Sequence, residues 1–156
     1  MLDPQAQARF GPGVSVIVGA AANDGEPFAT RAFSVVPVRG DWTRVRVVVA
    51  ADDPVPVAHL GEGAKVAITG ADVVTLRSVQ LKGRVALAEA TTEEDLDRAM
   101  HHASEMARLI EETDGTDRAM VMRLVPFRMV AVEVEVEEHF DQTPGPGAGA
   151  PRAVDQ

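Results

Sequence analysis

Arg31 stands in a run of small and apolar residues, PFATRAFSVV (27–36). A guanidinium in such a strand can fork onto a phosphate or a carboxylate. Its plainer roles are an ion pair with one of the chain's 24 acids or a contact with a second subunit. Arg77, Lys82 and Arg84 form the one basic cluster on a long strand-like segment. Arg77 and Lys82 are an odd number of residues apart, so a regular strand sends them to opposite faces. A bend at Gly83 can re-aim Arg84. The choice there is between one base facing a ligand and a solvated exterior.

The remaining reactive side chains form no such grouping. His101 and His102 are neighbours on a helix and diverge by about 100°. His59 and His139 have no partner motif, and neither H-x-x-x-H nor H-E-x-x-H occurs. We therefore expect surface or interface histidines and no metal site. Glu93, Glu94 and Asp95 fall in the first turn of a helix, where acids complement its dipole. Met100 and Met106 repeat at helical spacing as core packing. The absence of cysteine excludes disulfides, thiolate nucleophiles, iron–sulfur clusters and Cys-based zinc sites. No nucleophile elbow is present, and Gly11-Pro12-Gly13 precedes a strand rather than opening a helix.

These residues must be held by one domain of 156 residues, whose content is 46% hydrophobic but only 4% aromatic. Val, Ala and Leu must build the core, which suits β-structure. A net charge of −9 disfavours nucleic acid as a partner. MLDPQAQARF lacks the features of a signal peptide, and no apolar run reaches the roughly 18 residues of a membrane span. A cytoplasmic protein with no membrane association is expected.

A short helix over 2–10 is expected, capped by Asp3 with Pro4 in its first position. Strands follow at 14–22 and 27–36, joined by the turn Asn23-Asp24-Gly25. Alternation in the second strand sets Phe28, Thr30, Ala32 and Ser34 against Ala29, Arg31, Phe33 and Val35. Further strands are expected at 43–50, where Arg44 and Arg46 form a wet face, at 64–70 and at 73–90. Gly83 bends the last of these. Pro54 can start a helix that Pro56 limits to one or two turns around Val57–Leu60.

The clearest helix is 92–112, which Thr91 or Thr92 can cap, with Thr91…Glu94 matching a capping box. Its apolar face holds Leu96, Ala99, Met100, Ala103, Met106, Ala107 and Ile110. The last strand-like segment is 120–137. There Val130, Val132, Val134 and Val136 point inward and Glu133, Glu135 and Glu137 outward, with Pro126 marking a bend. Residues 1–140 form the domain and 141–156 an extended Pro/Gly-rich tail. The fold class is mainly β: a six-stranded barrel with one long helix and short flanking helices.

That order of elements resembles the pyridoxamine 5′-phosphate oxidase-like family of FMN-binding split barrels, over roughly residues 8–150. Two motifs carry the likeness: TLRSVQLKGRV (75–85) and DQTPGPGAG (141–149), the latter similar to the tail of short bacterial members. PFATRAFSVVP also lies where the family has its Arg-bearing second strand. The resemblance implies a split β-barrel, a homodimer, and a flavin mononucleotide bound between subunits for oxidoreductase chemistry on a small molecule.

It further implies that Arg31, Ala32, Phe33 and Ser34 line the cofactor and that Ala50 and Ala51 make the third-strand contact. Ser78 with Gln80 would approach its ring or ribityl chain, and Lys82 is a further cofactor-binding candidate. Trp42 would pack over the flavin or across the dimer seam. Where the oxidases carry a Lys and an Arg-Lys pair, this chain has Val36 and Asp52-Asp53-Pro54-Val55-Pro56. Pyridoxamine-phosphate oxidase activity itself is therefore not expected. A deazaflavin, haem, or a non-catalytic binding role remain alternatives to FMN.

Overall fold

A computed structural model describes residues 2–21 and 25–151. Asn23 and Asp24 of the expected hairpin turn, and the end of the tail from residue 152, lie outside the described residues. Six strands form an antiparallel barrel: β1 (Ser15–Ala21), β2 (Pro27–Val38), β3 (Asp41–Ala50), β4 (Lys65–Ala71), β5 (Ser78–Ala90) and β6 (Met129–Asp141). Their order is β3-β2-β1-β4-β5-β6, and pairing of β3 with β6 closes the ring. Closure removes the unpaired edges that strands this long would otherwise expose. The barrel interior is aliphatic, built on Val16, Val18, Val47, Ile68, Leu81, Val85 and Val134. Val130, Val132, Val134 and Val136 face inward as expected.

The short helices are set by proline and aspartate. Asp3 accepts a hydrogen bond from the Ala6 amide at 2.9 Å and caps α1 (Pro4–Gln7), which runs into a 3₁₀ turn through Phe10. Asp53 caps α2 (Pro54–Ala58), which starts at Pro54 as expected and ends before Leu60. Trp42 packs against Phe10, ring centres 5.7 Å apart, at the edge of the barrel core.

Strict alternation fails in β2. Ala32 pairs with Val49 but Ser34 pairs with Val48, so Phe33 is the extra residue of a bulge. Ala32 and Val35 consequently both enter the barrel core, while Phe33 points out to a second cluster with Val48, Ala99 and Ala103. Residues 120–128, expected as strand, are not. Asp117 accepts from the amides of Ala119 and Met120 and starts α4 (Arg118–Met122), and β6 begins only at Met129.

The long helix α3 (Glu93–Asp114) ends at Gly115, whose φ of +78° is a conformation glycine adopts freely. It is rotated from the expected face. Thr92, one of the two expected caps, is the N-cap, and its capping box is with Asp95 rather than Thr91 with Glu94. Asp95, Ala99, His102, Ala103 and Ala107 are buried, whereas Leu96 and Met100 are 43% and 47% exposed. The alanines let α3 lie close on the sheet, and an ion pair fixes the rotation. Asp95 is wholly buried and receives the Arg46 guanidinium at 2.7 Å; Arg98 joins it at the same distance. Hydrogen bonding from Arg46, then from Thr92 and Arg98, holds the Asp95 carboxyl well below the usual carboxylate range. The supposed wet face of β3 is thus partly covered, with Arg46 also reaching Glu89 at 2.6 Å.

His102 is not a surface histidine. It is 3% exposed, and its Nε2 is buried without a hydrogen-bond partner. Burial pushes its pKa below the ordinary value of 6.5. The folded state therefore holds a neutral imidazole that the unfolded chain can protonate, so stability is full above that ordinary value and falls as pH drops through and below it. Urea midpoints should decline between about pH 7.5 and 5.5, and His102→Leu should flatten that slope. An unchanged slope would remove His102 as its source.

Candidate functional site

The outer face of the sheet is where the strand register gathers polar groups. Val16 and Val18 face the core, so Ile17 and Gly19 face out. Ile17 pairs with Arg31 on β2 and with Thr69 on β4; Thr69 pairs with Gln80 on β5, and Gln80 with Phe140 on β6. The pairing of Ala32 with Val49 brings Ala50 alongside Arg31, so one row crosses the whole barrel wall. The next row runs Ala29, Gly19, Ala67, Lys82 and Glu138. Small residues thus make a smooth floor between Arg31 at one side and Lys82 at the other.

Each polar group is held differently. Arg31 is exposed and has no ion pair or hydrogen bond among the described residues. Gln80 donates to Thr69 Oγ1 at 2.9 Å and accepts a long contact of 3.4 Å from Gln142 Nε2. Lys82 places its ammonium 4.4 Å from the centre of the Phe140 ring. Beside it, a shallow cleft of about 460 Å³ lies over Gly19 and Ala67, bordered by Lys65, Lys82 and Arg84 together with Glu137 and Glu138. Gly83 makes the ladder bend there: β5 and β6 shift register between Lys82 and Gly83.

The two sequence motifs meet. Ser78 is buried beneath the tail, its amide donating to Thr143 Oγ1 at 3.1 Å while its carbonyl accepts from the Gln142 amide at 3.0 Å. The tail then turns, and β7 (Ala150–Pro151) pairs with the end of β6. Ser78 therefore docks the tail, and Gln142 and Gln80 share one polar chain with Thr69.

Of the residues proposed from the sequence, Arg31, Ala50, Gln80 and Lys82 share the outer face. Ala32 lies in the barrel core, and Phe33 and Ser34 are buried, so their side chains do not reach that face. Ala51 sits at the barrel rim, its amide donating to the Arg128 carbonyl at 2.8 Å. Asp52 accepts from the amides of Phe127 and Arg128 at 3.0 and 2.7 Å, and Asp53 caps α2. Both carboxylates are structural. Ile17, Thr69, Phe140 and Gln142 were not singled out by sequence reasoning. Alternation of AKVAITG against Val66 and Ile68 carries the signal for Thr69. Among the described residues no three His, Asp or Glu side chains converge to hold a metal ion, and no helix is long and apolar enough to cross a membrane.

No family model matches the chain, and no curated protein matches it in sequence. Solved structures do match its shape. HupZ from Group A Streptococcus is 13% identical, with 96% of this chain and 100% of that chain covered and a TM-score of 0.56. An F420 reductase is 12% identical over 88% of this chain and 97% of its own, with a TM-score of 0.53. A Lactobacillus delbrueckii protein classed by name with the pyridoxamine 5′-phosphate oxidases is 16% identical over 89% and 93%, with a TM-score of 0.52. At such identities the likeness is one of architecture, and it matches the closed barrel and single long helix described above. The chain has the split-barrel fold that these proteins share.

Proposed function

We propose that the protein is a homodimeric, flavin-dependent oxidoreductase acting on a small molecule, with the cofactor lying on the outer sheet face under a second subunit. The single observation that carries this reading is the row Ala50–Arg31–Ile17–Thr69–Gln80, which sets an unpaired guanidinium and an amide–hydroxyl pair on one outward face beside the small residues Ala29, Gly19 and Ala67. The residues present fit the group. Arg31 would take the phosphate, since a dianion needs charge-assisted donors. Thr69 and Gln80 would meet the polar edge of the ring, and Gly19, Ala29 and Ala67 leave room for a flat body. When bound, the flavin supplies the hydride chemistry. The chain's own residues bind, orient and exclude water, and none need act as an acid or base. A deazaflavin would use the same floor, and the F420 reductase likeness makes it the natural second cofactor to test.

Asp52 and Asp53 stand where the oxidases carry basic residues, so pyridoxamine-phosphate oxidase activity is not part of the proposal. Arg31→Ala is expected to weaken FMN binding by about 1.5–3 kcal/mol, the worth of a charged hydrogen bond. Fluorescence titration of FMN measures it, and unaltered affinity would take Arg31 out of the site.

A further inference from the structure

A second concavity lies at the barrel rim, where α2, the start of α3 and the approach to β6 meet. Its volume is about 590 Å³, within the range of small-molecule sites. The walls are apolar: Val57, Leu96, Phe127, Met129 and Val130 line it. Phe127 is 100% exposed and Leu96 43%, so the groove presents aromatic and aliphatic surface that folding has not covered. Clustered exposure of this kind marks a binding surface more often than scattered single residues do.

The charge on the lining is equally selective. Arg128 is its one charged residue, and Thr91 its one hydroxyl. The Arg128 guanidinium has no ion pair or hydrogen bond among the described residues. Arg9, Arg44, Arg46, Arg84, Arg98 and Arg108 are held in ion pairs, whereas Arg128, like Arg31, is left free for a ligand. The nearby Asp52 is no substitute partner, because its oxygens accept the Phe127 and Arg128 backbone amides. An apolar trough with one uncommitted guanidinium selects a ligand by two features at once: apolar bulk and a single planar anion.

We infer that this groove binds a small molecule with an apolar body ending in one carboxylate. The groove adjoins the expected cofactor contact at Ala51 but uses neither Arg31 nor Gln80, so the two readings can fail separately. Isotope-labelled protein titrated with octanoate and with 1-octanol, followed by amide chemical shifts, tests it. Octanoate should shift the amides of Ala51, Val57, Phe127 and Met129 and bind roughly tenfold or more tightly than octanol at the same place. Arg128→Gln should bring octanoate down to the octanol level, Arg128→Lys should retain part of the preference, and Arg31→Ala should change nothing. Leu96→Asp should weaken both ligands. Equal binding of the two probes, shifts centred elsewhere, or a preference that survives Arg128→Gln would overturn the inference. So would movement of the Phe127 and Met129 signals with protein concentration alone, which would assign the groove to a second copy of the chain.

Discussion

Asp95→Ala is expected to destabilise the protein by about 3–5 kcal/mol, the cost of breaking a buried ion pair from one side. Asp95 is fully buried, and removing it leaves the Arg46 guanidinium, itself only 13% exposed, without its main partner. Glu89 and Glu133 remain within 2.6 and 3.4 Å of Arg46 and soften the loss without replacing the bidentate contact. The variant also loses the reciprocal half of the capping box, the bond from the Thr92 amide to the Asp95 carboxylate, while Thr92 Oγ1 still accepts from the residue-95 amide. Urea unfolding monitored by circular dichroism measures the change. The pair Arg46→Met with Asp95→Leu is the informative control. Removing both charges leaves no uncompensated ion and should recover much of the loss. If Asp95→Ala costs under about 1 kcal/mol, the pair behaves as an exposed one and does not fix the rotation of α3.

The second large effect is predicted at Gly83. A Cβ placed there would lie 1.9 Å from the Glu135 carbonyl oxygen and 2.8 Å from its carbon. Both are backbone atoms of the neighbouring strand, so relief requires β5 and β6 to separate at the bulge. Gly83→Ala should therefore cost about 3 kcal/mol or more, the upper end of overpacking. It should also disturb Lys82, which depends on that bend to lie over Phe140. Gly61→Ala makes a fair comparison, because nothing lies within 4 Å of the added methyl and its φ is not positive. That variant should stay close to wild type. Equal stability of the two would mean that the strands adjust freely and that the bulge is not set by Gly83.

Much of the barrel was legible in the sequence, since its strands repeat Val and Ile every second residue and so announce which face is buried. Val130 to Val136 and the Gly83 bend are the clearest cases. Three features were not. The Phe33 bulge follows from how β3 opposes β2, which no single strand encodes. The rotation of α3 turns apolar Leu96 and Met100 outward, because the ion pair between Asp95 and Arg46 links positions 49 residues apart. Residues 120–125 carry strand-like Val and Met, yet the Asp117 cap starts a helix that local propensity alone does not predict. For the site, alternation separates Arg31 from Ala32 and Lys82 from Arg77, but which of those faces is outward follows only from the folded sheet. That Arg31, Gln80 and Lys82 belong to two adjoining rows requires the register of five strands. The docking of Thr143 and Gln142 on Ser78 and Gln80 joins residues more than 60 positions apart, and only the folded chain displays it.

The central claim, a flavin held on this sheet face beneath a second subunit, is tested most directly by sedimentation velocity with added FMN, recorded at a visible wavelength absorbed by flavin alone. The account predicts that flavin absorbance sediments with a dimer, with two flavins per dimer. Arg31→Ala should release much of that absorbance while leaving the dimer intact. A colourless dimer that takes up neither FMN nor a deazaflavin, or a monomer throughout the micromolar range, would contradict it.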